Sequence, residues 1–456
     1  RAYHLISPFF YICSVQNLLI YIPKITARHK YVFAVIFNEI SKVNYELTDN
    51  KEAFLVSDKV KINYSKNSIS PEELFVESSY LLSERDIKEV KLDIFKECDK
   101  SYLFKSDHQE SYKHDVFAAV FYLVSRYEEY LPHLKDKYGR YLPSESVAYK
   151  HDFLTKPIVN IWIQEFISHL QAEFPAFSVP ASKFEYISTI DIDNAYLFKG
   201  KGFVRSVAFL IKSLLKLDFI KIKLAYEVIT QKRKDPYDTY SLQFNLQKKY
   251  NIDVRYFVLL GDYGLNDKNI SHVNSSLISL VKRLADLAPV GIHPSYGSNL
   301  NSNILSKEIK RLKDIQKREV SISRQHFLQL SLPETYKKLI ASGITNDYTM
   351  GYASELGFRA GIATPFTFYD LDMEQTLPIT IHPFAITDDI LRFNLELNCD
   401  NVLSEISEIV ADVKKVNGTL ISVWHNDTFS NFGLWEGWKN VYEDMVRLIN
   451  LNDESN

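Results

Sequence analysis

The stretch Tyr186-Ile-Ser-Thr-Ile-Asp-Ile-Asp-Asn194 decides how the rest of this 456-residue chain is organised. Its apolar, β-branched run is typical of a buried strand. Side chains alternate between the two faces of a strand, so Asp191 and Asp193 are predicted to point the same way, with Ile192 opposed. Two neighbouring carboxylates repel each other unless a metal ion or a shared proton lies near them. An Asx-type turn with both carboxylates solvated is the alternative that this stretch alone leaves open.

The composition is that of an ordinary globular protein, and it excludes some partners. The formal net charge is −3, which argues against binding to nucleic acid. The three cysteines are far apart and form neither a metal-binding spacing nor a disulfide framework, which is typical of a reducing compartment. With no evident export signal in the sequence, we expect a cytoplasmic protein.

The first residues are expected to lie outside the fold. Residues 5–22 are fairly apolar, but polar residues and a proline interrupt them, and their length is marginal for a membrane span. A small-x-small cleavage site of a secretory signal is not evident. We therefore expect no stable membrane span, and we assign residues 1–16 to an upstream segment before a first strand at residues 18–22.

Residues 17–180 are predicted to form a smaller α/β domain. Apolar residues at helical spacing predict helices, and β-branched runs predict short strands. The predicted helices cover residues 28–40 and 114–130, and the predicted strands cover residues 43–47, 53–56 and 61–64. The helix at 114–130 ends in Arg126, Glu128 and Glu129, which are interpreted either as a solvated ion pair or as part of the rim of an active site.

A proline-containing stretch at residues 174–182 marks the predicted boundary with a second domain. Residues 181–456 then show strands alternating with long helices, a pattern that predicts a parallel (β/α) barrel or a doubly wound sheet. Residues 203–230 are both apolar and basic. They are predicted to form helix packed on the sheet, with binding to a membrane surface as the alternative.

Polar residues recur where the predicted strands of the second domain end. They are Asp191 and Asp193, His293, Arg324 and His326, Asp347, and His425. Each has an ordinary structural explanation when taken singly, such as a turn histidine or a satisfied ion pair. Because barrels of this kind keep their chemistry at the carboxyl ends of their strands, the joint occurrence predicts one site.

Five motifs occur in the order in which a known family has them. They are Thr189-Ile-Asp-Ile-Asp193, Gly291-Ile-His-Pro-Ser-Tyr296, Ser323-Arg-Gln-His326, Asn346-Asp-Tyr348 and Ile421-Ser-Val-Trp-His425. Through these motifs residues 181–456 resemble polysaccharide deacetylases of the NodB-homology type, carbohydrate esterase family 4. The resemblance implies a distorted (β/α) barrel of NodB type.

Residues 17–180 resemble the domain that precedes this catalytic domain in a Bacteroidetes group. The stretches that carry this second resemblance are Ile20-Tyr-Ile-Pro23, Lys61-Ile-Asn-Tyr-Ser65 and Ser125-Arg-Tyr-Glu-Glu-Tyr130.

The resemblance implies a divalent metal, commonly zinc, that binds and acidifies a water. Asp193 and His293 would be metal ligands. The family supplies a second histidine four residues after the first, but this chain has Gly297 there. Catalytic zinc ordinarily has three protein ligands. Our hypothesis is that His326 replaces the missing histidine; the alternative is a metal that is weakly held or absent.

The remaining roles also follow from the resemblance. Asp191 would be the general base, oriented by Arg324, and His425 the general acid, with its charge set by Asp347. The expected substrate-binding residues are Tyr296 and Trp424.

These roles predict a hydrolase that removes N-acetyl groups from an amino-sugar-containing polysaccharide or its precursor. A non-catalytic carbohydrate-binding relative that lost the metal is the main alternative. A glycosidase that uses Asp191 and Asp193 as its two carboxylates agrees less well with the sequence. Two aspartates this close on one strand do not give the carboxylate separation that is usual in glycosidases.

Overall fold

The computed structural model describes residues 18–451, apart from the side chain of Val204. The predicted upstream segment, residues 1–16, lies outside the described residues. The chain forms two compact units. The first contains the described residues up to Arg85 together with Val90–Ala119 and Trp162–Ala181, and the second contains Asp86–Glu89, Val120–Ile161 and the described residues from Ser182 onward. The domain boundary near residue 180 stays a prediction, and the compact units interleave along the chain.

The first unit is built on a parallel sheet of four strands. The strands of this part of the chain are β1 (Leu18–Tyr21), β2 (Tyr45–Thr48), β3 (Val60–Ser65), β4 (Leu74–Glu77), β5 (Phe95–Glu97) and β6 (Lys100–Tyr102). The sheet order is β2-β1-β3-β4, and β5 and β6 form a separate antiparallel pair.

Five α-helices occur in the described residues before residue 180. They are α1 (Ala27–Phe33), which continues into a π-helix (Ala34–Ile40), α2 (Lys51–Leu55), α3 (Val116–Val124), α4 (Val147–Lys150) and α5 (Ile158–Glu173). The strand predicted at residues 53–56 is wrong, because most of these residues belong to α2. The Asn50 side chain caps this helix by accepting a 3.0 Å hydrogen bond from the Ala53 amide.

The second unit contains one sheet of nine strands. They are β7 (Glu185–Ile192), β8 (Asp253–Leu259), β9 (Val290–His293), β10 (Ile322–Ser323), β11 (Asn346–Asp347), β12 (Phe366–Asp370), β13 (Gln375–Ile381), β14 (Ile386–Thr387) and β15 (Thr419–His425). Their order is β12-β13-β11-β10-β9-β8-β7-β15-β14. Every pairing is parallel except that of β12 with β13. The mixed α/β class with parallel strands is confirmed, and closure into a barrel stays a prediction.

Among the described residues, eight α-helices follow β7. They are α6 (Gly202–Leu215), α7 (Phe219–Ile229), α8 (Tyr240–Tyr250), α9 (Ser275–Leu287), α10 (Ser302–Gln316), α11 (Glu334–Ala341), α12 (Val402–Lys415) and α13 (Trp438–Asn450). Within residues 18–451, no helix combines the length and the apolarity that crossing a membrane requires.

The register of the sheet brings the ends of several strands to one edge. Asp191 on β7 pairs with His425 on β15 and with Phe257 on β8. On the other side of β8, His293 pairs with Leu259. Because parallel strands run in one direction, side chains at and just beyond their carboxyl ends lie near one another.

The cluster formed by Arg126, Glu128 and Glu129 is buried rather than solvated. Arg126 has a left-handed backbone (φ 54°) just beyond α3. Its guanidinium lies 2.7 Å from Glu129 and 2.9 Å from Glu128, and Arg359 pairs with Glu129 from the other side at 2.5 Å. The predicted solvated pair is therefore wrong, and the cluster is part of the interior of the second unit.

Candidate active site

A pocket of about 170 Å³ lies at the carboxyl edge of the nine-stranded sheet. Its walls come from the ends of β7, β9 and β15, from the loops after β10 and β14, and from the segment between α3 and α4. The lining residues are Arg140, Asp191, Asp193, His293, Gln325, His326, Phe327, Leu328, Ala353, Thr387, Asp389, Ile390, Val423 and His425. The structure therefore brings most of the predicted site residues to one place.

Asp193, His293 and His326 meet at the floor of this pocket. His293 Nε2 lies 3.1 Å from Asp193 Oδ1, and His326 Nε2 lies 3.4 Å from Asp193 Oδ2. One ligand atom from each of the three residues falls within 4.8 Å of the others, a spacing that a metal ion could bridge. His326 thus lies close enough to Asp193 and His293 to serve as the third ligand in place of the missing histidine.

Hydrogen bonds fix both imidazoles with Nε2 directed at Asp193. His293 Nδ1 lies 2.6 Å from the backbone carbonyl oxygen of Arg324, and His326 Nδ1 lies 2.9 Å from Asp267 Oδ1. Both partners are acceptors, so each Nδ1 donates its proton to them, and Nε2 is the atom of each ring that is left for a metal ion. Among the described residues Asp193 Oδ1 is buried without a hydrogen-bond donor. This donor set fits a divalent cation with three protein ligands and a further position open.

The charges of Asp193 and His326 stabilise each other. Burial lowers the pKa of His326, but the carboxylates of Asp193 and Asp267 outweigh it and raise the pKa to about 9. Burial raises the pKa of Asp193, but His326 and His293 bring it well below its usual value. The floor of the pocket is thus a place where positive charge is strongly stabilised.

Arg324 holds Asp191 in place from beneath the pocket. The guanidinium is fully buried, its Nε donates to the backbone carbonyl of Tyr348 at 3.0 Å, and its Nη1 donates to Asp191 Oδ1 at 3.3 Å. Asp191 Oδ2 lies 3.8 Å from His293 Nε2. Asp191 therefore has one oxygen bound by Arg324 and the other directed toward the His293 imidazole.

His425 also lies near Asp193, and it is held by Asp388. His425 Nδ1 lies 2.8 Å from Asp388 Oδ1, and the His425 amide donates to Asp388 Oδ2 at 2.8 Å. His425 Nε2 lies 3.8 Å from Asp193 Oδ2. Burial lowers the pKa of His425, but Asp388 and Asp389 outweigh it and bring the pKa well above its usual value. The imidazole is therefore held as a proton carrier that faces the pocket.

Asp347 has a different place from the one predicted. Its carboxylate accepts hydrogen bonds from Ser323 Oγ at 2.7 Å and from the amide and hydroxyl of Thr349 at 2.9 Å. Burial raises its pKa to about 6. Asp388 occupies the position beside His425 that was predicted for Asp347, which instead ties the ends of β10 and β11 together.

The two predicted substrate-binding aromatics differ in position. Trp424 is fully buried, and its Nε1 donates to Ser422 Oγ at 3.1 Å, so the prediction for this residue is wrong. It alternates with His425 along β15 and therefore points to the opposite face. Tyr296 lies edge-to-face against Phe327, which lines the pocket, with ring centroids 5.6 Å apart.

Asp267 and Asp388 are the site residues that the sequence analysis missed. Asp388 follows β14 as part of an Asp-Asp pair, so the rule that located the other strand-end residues could have found it. Asp267 lies in an irregular loop between β8 and α9, and in such a loop the sequence pattern does not indicate where a side chain points.

Comparisons with known proteins add the following. Residues 18–175 match a family model described as "Family of unknown function (DUF7033)". No curated protein matches the chain.

Several solved structures are similar to the chain, at low identity. A protein from Mycobacterium smegmatis described as a polysaccharide deacetylase is 11% identical, with a TM-score of 0.38, over 60% of this chain and 87% of its own. The polysaccharide deacetylase Bc1974 from Bacillus cereus is 12% identical, with a TM-score of 0.29, over 60% of this chain and 95% of its own. A mutant of a CE4 family pseudoenzyme with restored enzymatic activity is 11% identical, with a TM-score of 0.28, over 58% of this chain and 64% of its own.

Proposed function

We propose that the chain is a metal-dependent hydrolase that removes N-acetyl groups from an amino-sugar-containing polysaccharide or its precursor. The observation that carries the proposal is the meeting of two oriented imidazoles and the Asp193 carboxylate beside a second, separately held aspartate. A structural zinc site would be closed by a fourth protein ligand, whereas three ligands beside an open pocket are typical of catalysis.

The metal ligands would be Asp193, His293 and His326. Carboxylate oxygen and imidazole nitrogen are ligands that zinc accepts, and zinc is the first candidate. A divalent cation held there would polarise the amide carbonyl and lower the pKa of a water. Asp267 would hold His326 in the ligating tautomer, as the Arg324 carbonyl does for His293.

Asp191 would take the proton from the attacking water. Arg324 Nη1 occupies Oδ1, so Oδ2 is the oxygen that faces the pocket. The same ion pair keeps the carboxylate in the one orientation that a general base at this place requires. Arg324 is thus a positioning residue that acts through Asp191.

His425 would give a proton to the departing amine. Its Nδ1 is bound to Asp388, so Nε2 is the atom that faces the pocket. Asp191 and His425 reach the pocket from neighbouring strands, β7 and β15. A base and an acid on two sides of one amide are what hydrolysis of that bond requires. The motif order of residues 181–456 supports an amino sugar as the carrier of this amide.

Acetate release from N-acetylated glucosamine oligomers by the zinc-loaded protein tests the proposal. Asp191→Asn and His425→Ala should each lower kcat by roughly 10²–10⁴-fold, while Asp262→Asn, a change at an exposed carboxylate, should leave it unchanged. Metal content by elemental analysis accompanies every assay. A wild-type protein that is fully loaded with metal, binds the oligomers and releases no acetate would instead be a non-catalytic carbohydrate-binding protein.

A further inference from the structure

Helices α6 and α7 form a hairpin within the second unit, and the inner side of this hairpin packs on neighbouring parts of that unit. The inner contacts form a cluster of Phe198, Leu224, Ala225 and Val228, with Phe209 packed against it. A short turn joins the two helices, and Leu217 adopts a left-handed backbone there (φ 53°). We call residues 199–234 the basic hairpin.

The outer side and the tip of the basic hairpin expose large apolar side chains. Seven of them are between 52% and 84% exposed: Phe203, Ile211, Leu214, Leu215, Leu217, Phe219 and Ile220. Five of the seven follow one another within residues 214–220, at and beside the turn. A single exposed leucine is ordinary, but a contiguous group of this kind marks an interaction surface.

The same segment is strongly basic. Residues 199–234 contain ten Lys and Arg and only two acidic residues, although the whole chain has a net charge of −3. Both acidic side chains are already paired, Asp218 with Lys221 at 2.7 Å and Glu227 with Arg233 at 3.8 Å. Lys212 and Lys223 form no salt bridge with any part of the chain that the structure describes. The surface therefore complements an anionic partner.

We propose that the basic hairpin docks the protein on an anionic lipid surface. Aliphatic side chains at the tip would enter the boundary between headgroups and acyl chains, while the surrounding lysines would contact lipid phosphates. A nucleic acid would engage the lysines but would leave the leucines and isoleucine exposed to water. The combination of charge with an aliphatic tip selects a bilayer surface, and the docking does not depend on the proposed hydrolysis.

Co-sedimentation of the full chain with vesicles tests this proposal. Phosphatidylcholine vesicles containing phosphatidylglycerol should bind the protein, pure phosphatidylcholine vesicles should bind it much more weakly, and added salt should weaken the binding to the anionic vesicles. The triple variant Leu215→Ser, Phe219→Ser, Ile220→Ser should lower vesicle affinity by roughly a hundredfold or more. Its matched control changes three exposed apolar residues elsewhere in the second unit, Leu300→Ser, Met373→Ser and Leu434→Ser, and should bind like the wild type.

Lysine-to-glutamine variants measure how much of the vesicle affinity comes from charge. The double variant Lys212→Gln, Lys223→Gln should bind anionic vesicles roughly thirtyfold more weakly, whereas Lys24→Gln, Lys248→Gln should bind normally. Circular dichroism should show the same helix content for all variants. The proposal is overturned if the wild type does not prefer anionic vesicles, or if both triple variants bind alike. It is also overturned if the wild type ignores vesicles and self-associates through a contact that the hairpin triple variant abolishes.

Discussion

Replacing Glu129 with glutamine should destabilise the protein in a way that depends on pH. Glu129 is buried between two guanidinium groups. Its Oε1 accepts from Arg126 Nε at 2.7 Å and from Arg359 Nε at 2.8 Å, and its Oε2 accepts from Arg359 Nη2 at 2.5 Å. The variant Glu129→Gln keeps the shape of the side chain but leaves the Arg359 guanidinium buried without a negative partner, which is costly.

The magnitude follows from the pKa of this carboxyl. Burial raises the pKa of Glu129, but Arg359 and Arg126 outweigh it and lower the pKa from 4.5 to about 2. A folded-state pKa below the unfolded one means that the stabilisation is complete above the unfolded pKa and is lost as pH falls through the folded pKa. The shift corresponds to about 3 kcal/mol of unfolding free energy at pH 7 and to about half of that at pH 3.

Urea denaturation of wild type and Glu129→Gln at pH 7 and pH 3 measures both values. Glu128→Gln is the matched control in the same cluster, because burial raises the pKa of Glu128 and its charge therefore does not stabilise the fold. We expect Glu128→Gln to cost little or to stabilise at pH 7. A loss for Glu129→Gln that is equal at the two pH values, or no larger than that of Glu128→Gln, would refute the electrostatic reasoning.

Three further predictions concern the site and its support. Asp267→Ala frees Nδ1 of His326, a proposed metal ligand, and should weaken zinc binding by roughly 10–100-fold in a chelator competition, unlike the exposed control Asp262→Ala; equal affinities would contradict the proposed role of Asp267. Asp388→Asn should lower the pKa of His425, so the alkaline limb of the pH profile of kcat/KM should move to lower pH; an unmoved limb would contradict the pairing. Gly357→Ala should lower the unfolding free energy by roughly 1–3 kcal/mol or more. An added Cβ would lie 2.3 Å from the Leu154 carbonyl oxygen, and the backbone at Gly357 has a φ of 115°. An unchanged midpoint in urea denaturation would show that this loop relaxes freely.

The sequence predicted the edge of the sheet well, because that prediction depends on local rules. The strand carrying Asp191 has a clear apolar run, and alternation along it places Asp193 on the same side. Parallel strands then bring the strand ends that carry His293 and His425 to the same edge. These three strands are buried and four to eight residues long, so their pattern is strong.

The loops were predicted less well, because contacts distant in sequence determine them. After α10 the strand β10 covers only Ile322–Ser323, and His326 opens a short 3₁₀ turn instead of lying on a strand. Hydrogen bonds to the neighbouring β9 segment still fix this turn, since the amide of Arg324 donates to the Ile292 carbonyl. His326 therefore reaches the predicted place by a different backbone path. The strand-end rule could have located Asp388 after β14, but nothing local to the sequence indicates that Asp388, and not Asp347, pairs with His425.

The interleaving of the two compact units limits where this chain can be divided. Residues 120–161 are matched by the family model that covers residues 18–175, yet they belong to the second unit. A fragment starting at residue 181 would keep Arg359 without Glu129, and the Phe358 amide would lose its acceptor, the Leu154 carbonyl. Expression of residues 181–456 alone should therefore give insoluble protein, whereas a fragment that also retains residues 120–161 keeps both contacts.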